Sequence, residues 1–353
     1  MEEQKTHEPE SGLIFRLARP ICAPDGISGR ESGAFAVAEQ QLKSYGPVIK
    51  TPLGSLLCTV NVGEEGAPHL LLEAHLDQIG LVVTRIEENG FLRFAPVGGI
   101  DTRWLPASPV IVHSSTGDYN GVVTSVPPHL APKEDKKEIK AEDLLIDTGF
   151  STESARLLFA PGDTVTFDVT LMPMTNDRLC GMALDDRIGC VAVLAAAAMI
   201  AKQKPAARVT VLLSSMEEVG GQGAITGAFT AMPDYAVAVD VGFGDGFDVK
   251  PEQSAPLGAG PMLGLAPILN RAFGERLRRA AAENGIPLQN DPMGGRTGTD
   301  ADEIAVTGCG VKTALLSIPL RSMHTMVETV DSEDVLNTAR LLALAAGEVA
   351  KDE

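Results

Sequence analysis

The stretch SSMEEVGGQGA, residues 214–224, places two adjacent carboxylates, Glu217 and Glu218, between the apolar run ARVTVLLS and a glycine-rich turn. Neighbouring side chains point in different directions, so one can bind a cation while the other handles a proton. A helix N-terminus would favour the same two acids, because the helix dipole stabilises negative charge there. Other residues of similar character recur along the chain. His75 and Asp77 close HLLLEAHLD, Asp185 and Asp186 stand in ALDDRIG, Asp240 closes YAVAVD, and His324 follows ALLSIPLRSMH. Each alone has a structural explanation: a satisfied core histidine, a helix cap, a turn residue or a surface loop residue. Their shared position needs a further one. Open α/β sheets build sites at the carboxyl ends of their strands, and these residues fall at such ends.

Two imidazoles with several carboxylates suit zinc, cobalt or manganese, whereas calcium prefers oxygen alone. A carboxylate shared by two such ions would hold them ~3.5–4 Å apart, the separation of hydrolytic two-metal sites. Asp77, two residues beyond His75, can accept the second imidazole N–H. Competing motifs are weaker. The chain has no GxSxG, Walker A or HExxH sequence, and GAGPMLG at 258–264 lacks the strand and helix context of a dinucleotide loop. GGRTGTDADEI at 294–304 reads as a glycine turn running into a capped helix.

The elements that must carry these residues are legible in outline. Residues 12–45 read as helical, with a turn at 24–31; SLLCTVNV and HLLLEAH read as strands, the second a continuous apolar run fit for a sheet covered on both faces. From about residue 80 to 172 the texture changes to short alternating runs (GLVVTRI, GFLRFAPV, PVIVHSS, YNGVVTSV, DTVTFDVTL) divided by turn residues. This predicts a separate small β domain, a barrel. Afterwards helices and strands alternate, from DRIGCVAVLAAAAMIAKQK to SEDVLNTARLLALAAGEVA, which indicates an α/β fold with a mixed, mainly parallel sheet. The expected domains are residues 1–79 with 173–353, and an inserted β domain at 80–172.

At 353 residues, 44% hydrophobic and 22% charged, the chain has ordinary globular composition. Its net charge of -18 repels nucleic acid and anionic membrane surfaces, and the run KEDKKEIK at 133–140 reads as a solvated loop. The apolar stretch AVLAAAAMIA is too short to span a bilayer, and the polar start MEEQKTHEPESG lacks the form of a signal peptide. Five scattered cysteines without a CxxC pair read as buried free thiols in a reducing, cytoplasmic compartment.

In order, EAHLDQIG, GFLRFAPVGGIDTRWLP, NDRLCGMALDDRIGC, SSMEEVGGQGA, GTDADEI and IPLRSMHTMVE resemble the M42 metallopeptidases, the glutamyl and tetrahedral aminopeptidases, over residues 13–348. The resemblance implies a zinc-peptidase α/β domain with an inserted barrel-like domain for lid or assembly functions, and two divalent transition-metal ions per chain, zinc or cobalt first and manganese next. It makes Asp185 the bridging ligand, with His75 and Asp240 completing one metal site and Glu218 and His324 the other. Glu217 would be the general base that takes a proton from a metal-bridging water, Asp77 would orient His75, and Asp186 would follow a strained peptide bond. Peptides are then the substrates, and homo-oligomers from dimer to dodecamer the expected assembly. The chain departs from the family pattern at Gln78, Met182, Val241, Ser322 and Met326, which bear on the substrate pocket rather than on ligands. Two other readings stand beside the aminopeptidase. Some relatives carry a cellulase label, but a glycoside hydrolase would use paired carboxylates and leave both histidines without a role. A catalytically silent scaffold would require the ligands to be idle.

Overall fold

A computed structural model describes residues 10–125, 139–247 and 249–351. Most of the run at 133–140, and the polar N-terminal start through residue 9, lie outside the described residues. The chain divides into two compact units. The larger comprises the chain up to Asp77, Leu171–Met323 and the part from Val327 onward; the smaller comprises Gln78–Thr170 with His324–Met326.

The larger unit is built on an eleven-stranded mixed sheet. Its centre is parallel: Arg208–Ser214, His69–His75, Tyr235–Phe243 and Lys312–Arg321 lie side by side in the same direction. Antiparallel strands flank them, Leu56–Asn61 on one side and Glu328–Asp331 with Arg178–Gly181 on the other. Every residue of His69–His75 is buried, as expected of a strand covered on both faces. Alternation divides its side chains: Leu70, Leu72 and Ala74 join one hydrophobic cluster, and Leu71 joins the other. Each fully buried leucine contributes about 2 kcal/mol.

On the first face lie helix Leu184–Gln203, rich in alanine and so able to pack closely, and helix Ser332–Val349. On the second lie the shorter helices Gln222–Ala231 and Asp300–Ala305. The latter is the capped helix expected from GGRTGTDADEI, since the Thr299 hydroxyl accepts from the Ala301 N–H. Among the described residues, no helix is long and apolar enough to cross a membrane.

The smaller unit contains a closed barrel in the order Gly80–Ile86, Leu92–Val97, Ile146–Asp147, Gly117–Val123, Pro109–Ser114 and Thr164–Phe167, the last pairing back with the first. Leu81, Val83, Leu92, Phe94, Val110, Val112, Ile146 and Val165 fill its interior, and Trp104 packs edge-on against Phe167. All five cysteines are free. Cys58, Cys180 and Cys190 are buried as expected, Cys22 is half-buried, and Cys309 is exposed in the turn after helix Asp300–Ala305, between Gly308 and Gly310, which carry no side chain to cover it.

Candidate metal centre

His75 ends its strand, Asp240 lies within the neighbouring parallel strand, and Asp185 stands at the start of the helix packed against both. The three are buried, and one ligand atom from each falls within a mutual 4.8 Å. His75 Nε2 is 3.2 Å from Asp185 Oδ1. Asp240 Oδ1 accepts from the Val241 N–H at 2.7 Å. That bond uses the main-chain N–H, so any residue but proline at 241 can supply it, including the valine that departs from the family pattern.

The backbone around Asp185 is irregular. Ala183 is left-handed at φ 61°, Asp185 and Asp186 leave helical geometry, and the peptide bond joining them is cis. Asp186 Oδ1 accepts from the Gly189 N–H at 3.1 Å, the bond of a helix cap. Glycine is required at 189, because a Cβ there would meet the Asp186 carboxylate at 2.3 Å.

The paired glutamates are not in the first turn of a helix. Helix Gln222–Ala231 begins four residues after Glu218, and Glu217 and Glu218 occupy the intervening turn, entered through Met216 at φ 61°. The helix-dipole explanation therefore does not account for them. Asp77 holds this turn: Oδ1 accepts from the Glu217 N–H at 3.0 Å and Oδ2 from the Glu218 N–H at 3.3 Å. Its Oδ2 also accepts from the Ser28 hydroxyl at 2.6 Å. These donors draw the carboxylate away from the imidazole, so His75 Nδ1 lies 3.2 Å from the Asp77 main-chain carbonyl and 3.6 Å from Oδ1. Glu217 Oε2 reaches to 3.9 Å from His75 Nε2.

The electrostatics of this cluster show a deficit of positive charge. Burial opposes protonation of His75, yet hydrogen bonds to Asp185 and Asp77 and the charge of Glu217 raise it well above the usual imidazole range. Burial, with the charge of Asp240, pushes Asp186 up, and burial pushes Asp240 up. Glu217 is raised to about 7, mainly by burial. One imidazole and two carboxylates, buried together and short of cationic charge, fit a divalent transition ion by donor type. Glu218 is half-buried in the same unit. His324 belongs to the smaller unit, where its Nδ1 is 2.9 Å from the Gly99 carbonyl. Of the residues departing from the family pattern, Gln78, Met182 and Val241 are buried, while Ser322 is exposed and Met326 half-buried.

Several supporting residues had no role assigned from the sequence. Glu328 is buried and its Oε2 accepts from the Leu184 and Asp185 N–H groups at 2.8 and 3.2 Å. Arg187, fully buried, donates to the carbonyls of Leu76, Ile21, Cys22 and Pro24, which ties the turn bearing Ser28 to the residue between His75 and Asp77. Ser214 Oγ lies 2.6 Å from Glu73 Oε1 and 2.7 Å from Asp300 Oδ2, and burial raises Glu73 well above its ordinary range and Asp300 to about 6. An arginine in an apolar helix signals a need for buried acceptors, which makes Arg187 discoverable in DDRIG. Glu328 closes the motif IPLRSMHTMVE, but nothing in its spacing points to its role.

The family model described as M42 glutamyl aminopeptidase matches residues 54–341. A lysyl aminopeptidase of Pyrococcus furiosus is 32% identical over 333 residues, covering 93% of this chain and 95% of its own. An aminopeptidase of the archaeon Desulfurococcus kamchatkensis is similar in structure, with 32% identity, a TM-score of 0.90 and 97% of each chain covered. The TET1 peptidase of Pyrococcus horikoshii, which can assemble into a tetrahedron or a large octahedral shell, shares 32% identity at a TM-score of 0.83, over 94% of this chain and 99% of its own.

Proposed function

The chain belongs to the M42 glutamyl aminopeptidase family and is a peptide hydrolase, and from that premise we propose that it removes N-terminal residues from peptides with two divalent transition-metal ions. The observation that carries this reading is the buried convergence of His75, Asp185 and Asp240 with Glu217 beside it. His75, Asp185 and Asp240 would hold one ion; the resemblance assigns Glu218 and His324, with Asp185 shared, to the other. Zinc or cobalt fits the donor types best, with manganese next. Bound there, the ions would supply Lewis-acid polarisation of the scissile carbonyl and lower the pKa of water.

The chain's own residues do the rest. Glu217 takes the proton of the attacking water and delivers it to the leaving amine; its Oε2, 3.9 Å from His75 Nε2, sets the carboxylate beside the ligand cluster. Asp77 fixes Glu217 and Glu218 through their main-chain N–H groups, so the two carboxylates diverge from a rigid turn. The inserted domain at 80–172 serves as lid or assembly domain of a homo-oligomer, and the five free thiols suit a cytoplasmic setting.

Glu217→Gln tests the assignment. It should retain metal and lose about 10²–10⁴-fold in turnover, the usual contribution of a general base, whereas Glu218→Gln should weaken metal uptake. Near-native turnover in metal-loaded Glu217→Gln would overturn the general-base role. Mass spectrometry of a peptide digest should show a ladder shortening from a free N-terminus; internal fragments appearing first would contradict exopeptidase action.

A further inference from the structure

The turn that presents Asp185 is held from outside by an acid with no place in the ligand set. Glu328 opens a strand that pairs antiparallel with Arg178–Gly181, and the register sets Glu328 opposite Gly181, three residues before Leu184. From there its Oε2 receives the Leu184 N–H at 2.8 Å and the Asp185 N–H at 3.2 Å. These N–H groups stand at a helix start, where no intrahelical acceptor exists. They are also buried, and Ala183 before them is left-handed, so the acceptor that Glu328 supplies bears directly on the backbone carrying the Asp185 side chain.

We propose that Glu328 is a positioning residue for Asp185: by holding two successive main-chain N–H groups it aims the Asp185 carboxylate at His75 and Asp240, and so sets the affinity and geometry of the metal site. The inference rests on the metal reading of that cluster. It parallels Asp77, which also holds two successive main-chain N–H groups, those of Glu217 and Glu218, there with one oxygen each. Thus two turns bearing the central carboxylates are each gripped by a buried acid distant in sequence.

The alternative is that Glu328 merely stabilises the fold. Asp334 provides a matched case, for its carboxylate accepts the Gly258 and Gly260 N–H groups, both at 2.7 Å, and neither glycine bears a candidate ligand. Both N–H groups reach the one oxygen, Oε2, so Glu328→Met, which keeps the side chain's length and removes the acceptor, is the informative change, while the amide oxygen of Glu328→Gln can still take both bonds. The metal-free protein is titrated with cobalt, following the visible absorption of the bound ion, with circular dichroism to confirm folding. Glu328→Met should weaken cobalt binding about 10- to 100-fold, the usual cost of losing a partner behind a ligand, and shift the cobalt spectrum, Glu328→Gln should weaken it less, and Asp334→Asn should leave both unchanged. Folded Glu328→Met with native affinity and spectrum would overturn the positioning role, as would Glu328→Gln binding more weakly than Glu328→Met or an equal change in Asp334→Asn. A native protein that takes up no cobalt would instead overturn the metal reading beneath it.

Discussion

Strand His69–His75 begins and ends with a histidine, and both are buried, at 7% and 2% exposure. Their environments drive them in opposite directions. His69 is lowered to about 4, by burial first and then by the positive charge of Arg208, and its Nε2 lies 2.8 Å from the Thr210 hydroxyl. His75 suffers the same burial but is raised, because Asp185, Asp77 and Glu217 surround it. The amino end of the sheet is therefore solved by neutral hydrogen bonding, and the carboxyl end by concentrating acids that demand a cation. Burial alone does not make a site; the field around the buried group decides.

The contrast is broken most directly by substitution. His75→Asn should lose bound metal and reduce turnover well beyond the ~10- to 100-fold that outer partners contribute, whereas His69→Asn should retain metal content and turnover. Metal analysis with a kinetic assay on both variants checks this, and equal losses would dissolve the distinction between the two ends. Asp77→Asn should come next, at about 10- to 100-fold. Its amide must present a donor to a neighbourhood of donors, Ser28 and the main-chain N–H groups of Glu217 and Glu218. The loss should fall mainly in kcat, because the turn carrying Glu217 is what loosens; a change confined to KM would contradict that role.

How much of this was legible in sequence follows from how each feature is encoded. Strand ends are written in the apolar runs before them, so His75 could be placed without coordinates, whereas the strand expected to close at Asp240 runs on to Phe243, because Val241–Phe243 continue the parallel pairing with Lys312–Arg321; the barrel was written in the alternation from residue 80 onward. The role of Glu328 was not legible, although the residue closes a quoted motif, because it acts on main-chain N–H groups 143 and 144 residues away, and an amide carries no side-chain signature. Asp77 was half legible. Its spacing from His75 suggested an imidazole partner, but its strongest ties run to the glutamate turn, a contact that only the parallel pairing of Arg208–Ser214 with His69–His75 creates. The family resemblance supplied the ligand identities that spacing alone left open.

A finer test concerns protons. Because His75, Asp240 and Glu217 are all held above their ordinary ranges in the metal-free protein, a cation entering near pH 7 must displace protons. Calorimetric titration with zinc in two buffers of different ionisation enthalpy should therefore give different apparent heats. His69→Gln should not alter that difference, and a buffer-independent heat would remove the acidic-field argument.

The smallest expected effect belongs to the quiet end of the strand. His69 has a folded pKa of about 4 against an ordinary 6.5, so the folded state favours the neutral imidazole. A depressed pKa contributes stability that is complete above the unfolded value, and that stability is lost as pH falls from about 6.5 toward 4. The shift corresponds to about 2–3 kcal/mol over that window. Glutamine at 69 keeps a donor for the Thr210 hydroxyl and cannot titrate. Urea unfolding of the native protein and His69→Gln at pH 7 and at intervals toward pH 4 should then show a shallower decline in the variant, by about 2–3 kcal/mol. Carboxylates elsewhere titrate alike in both proteins and cancel in the comparison. Parallel declines would mean that His69 titrates normally in the folded chain, and the two ends of the strand would differ in composition without differing in electrostatics.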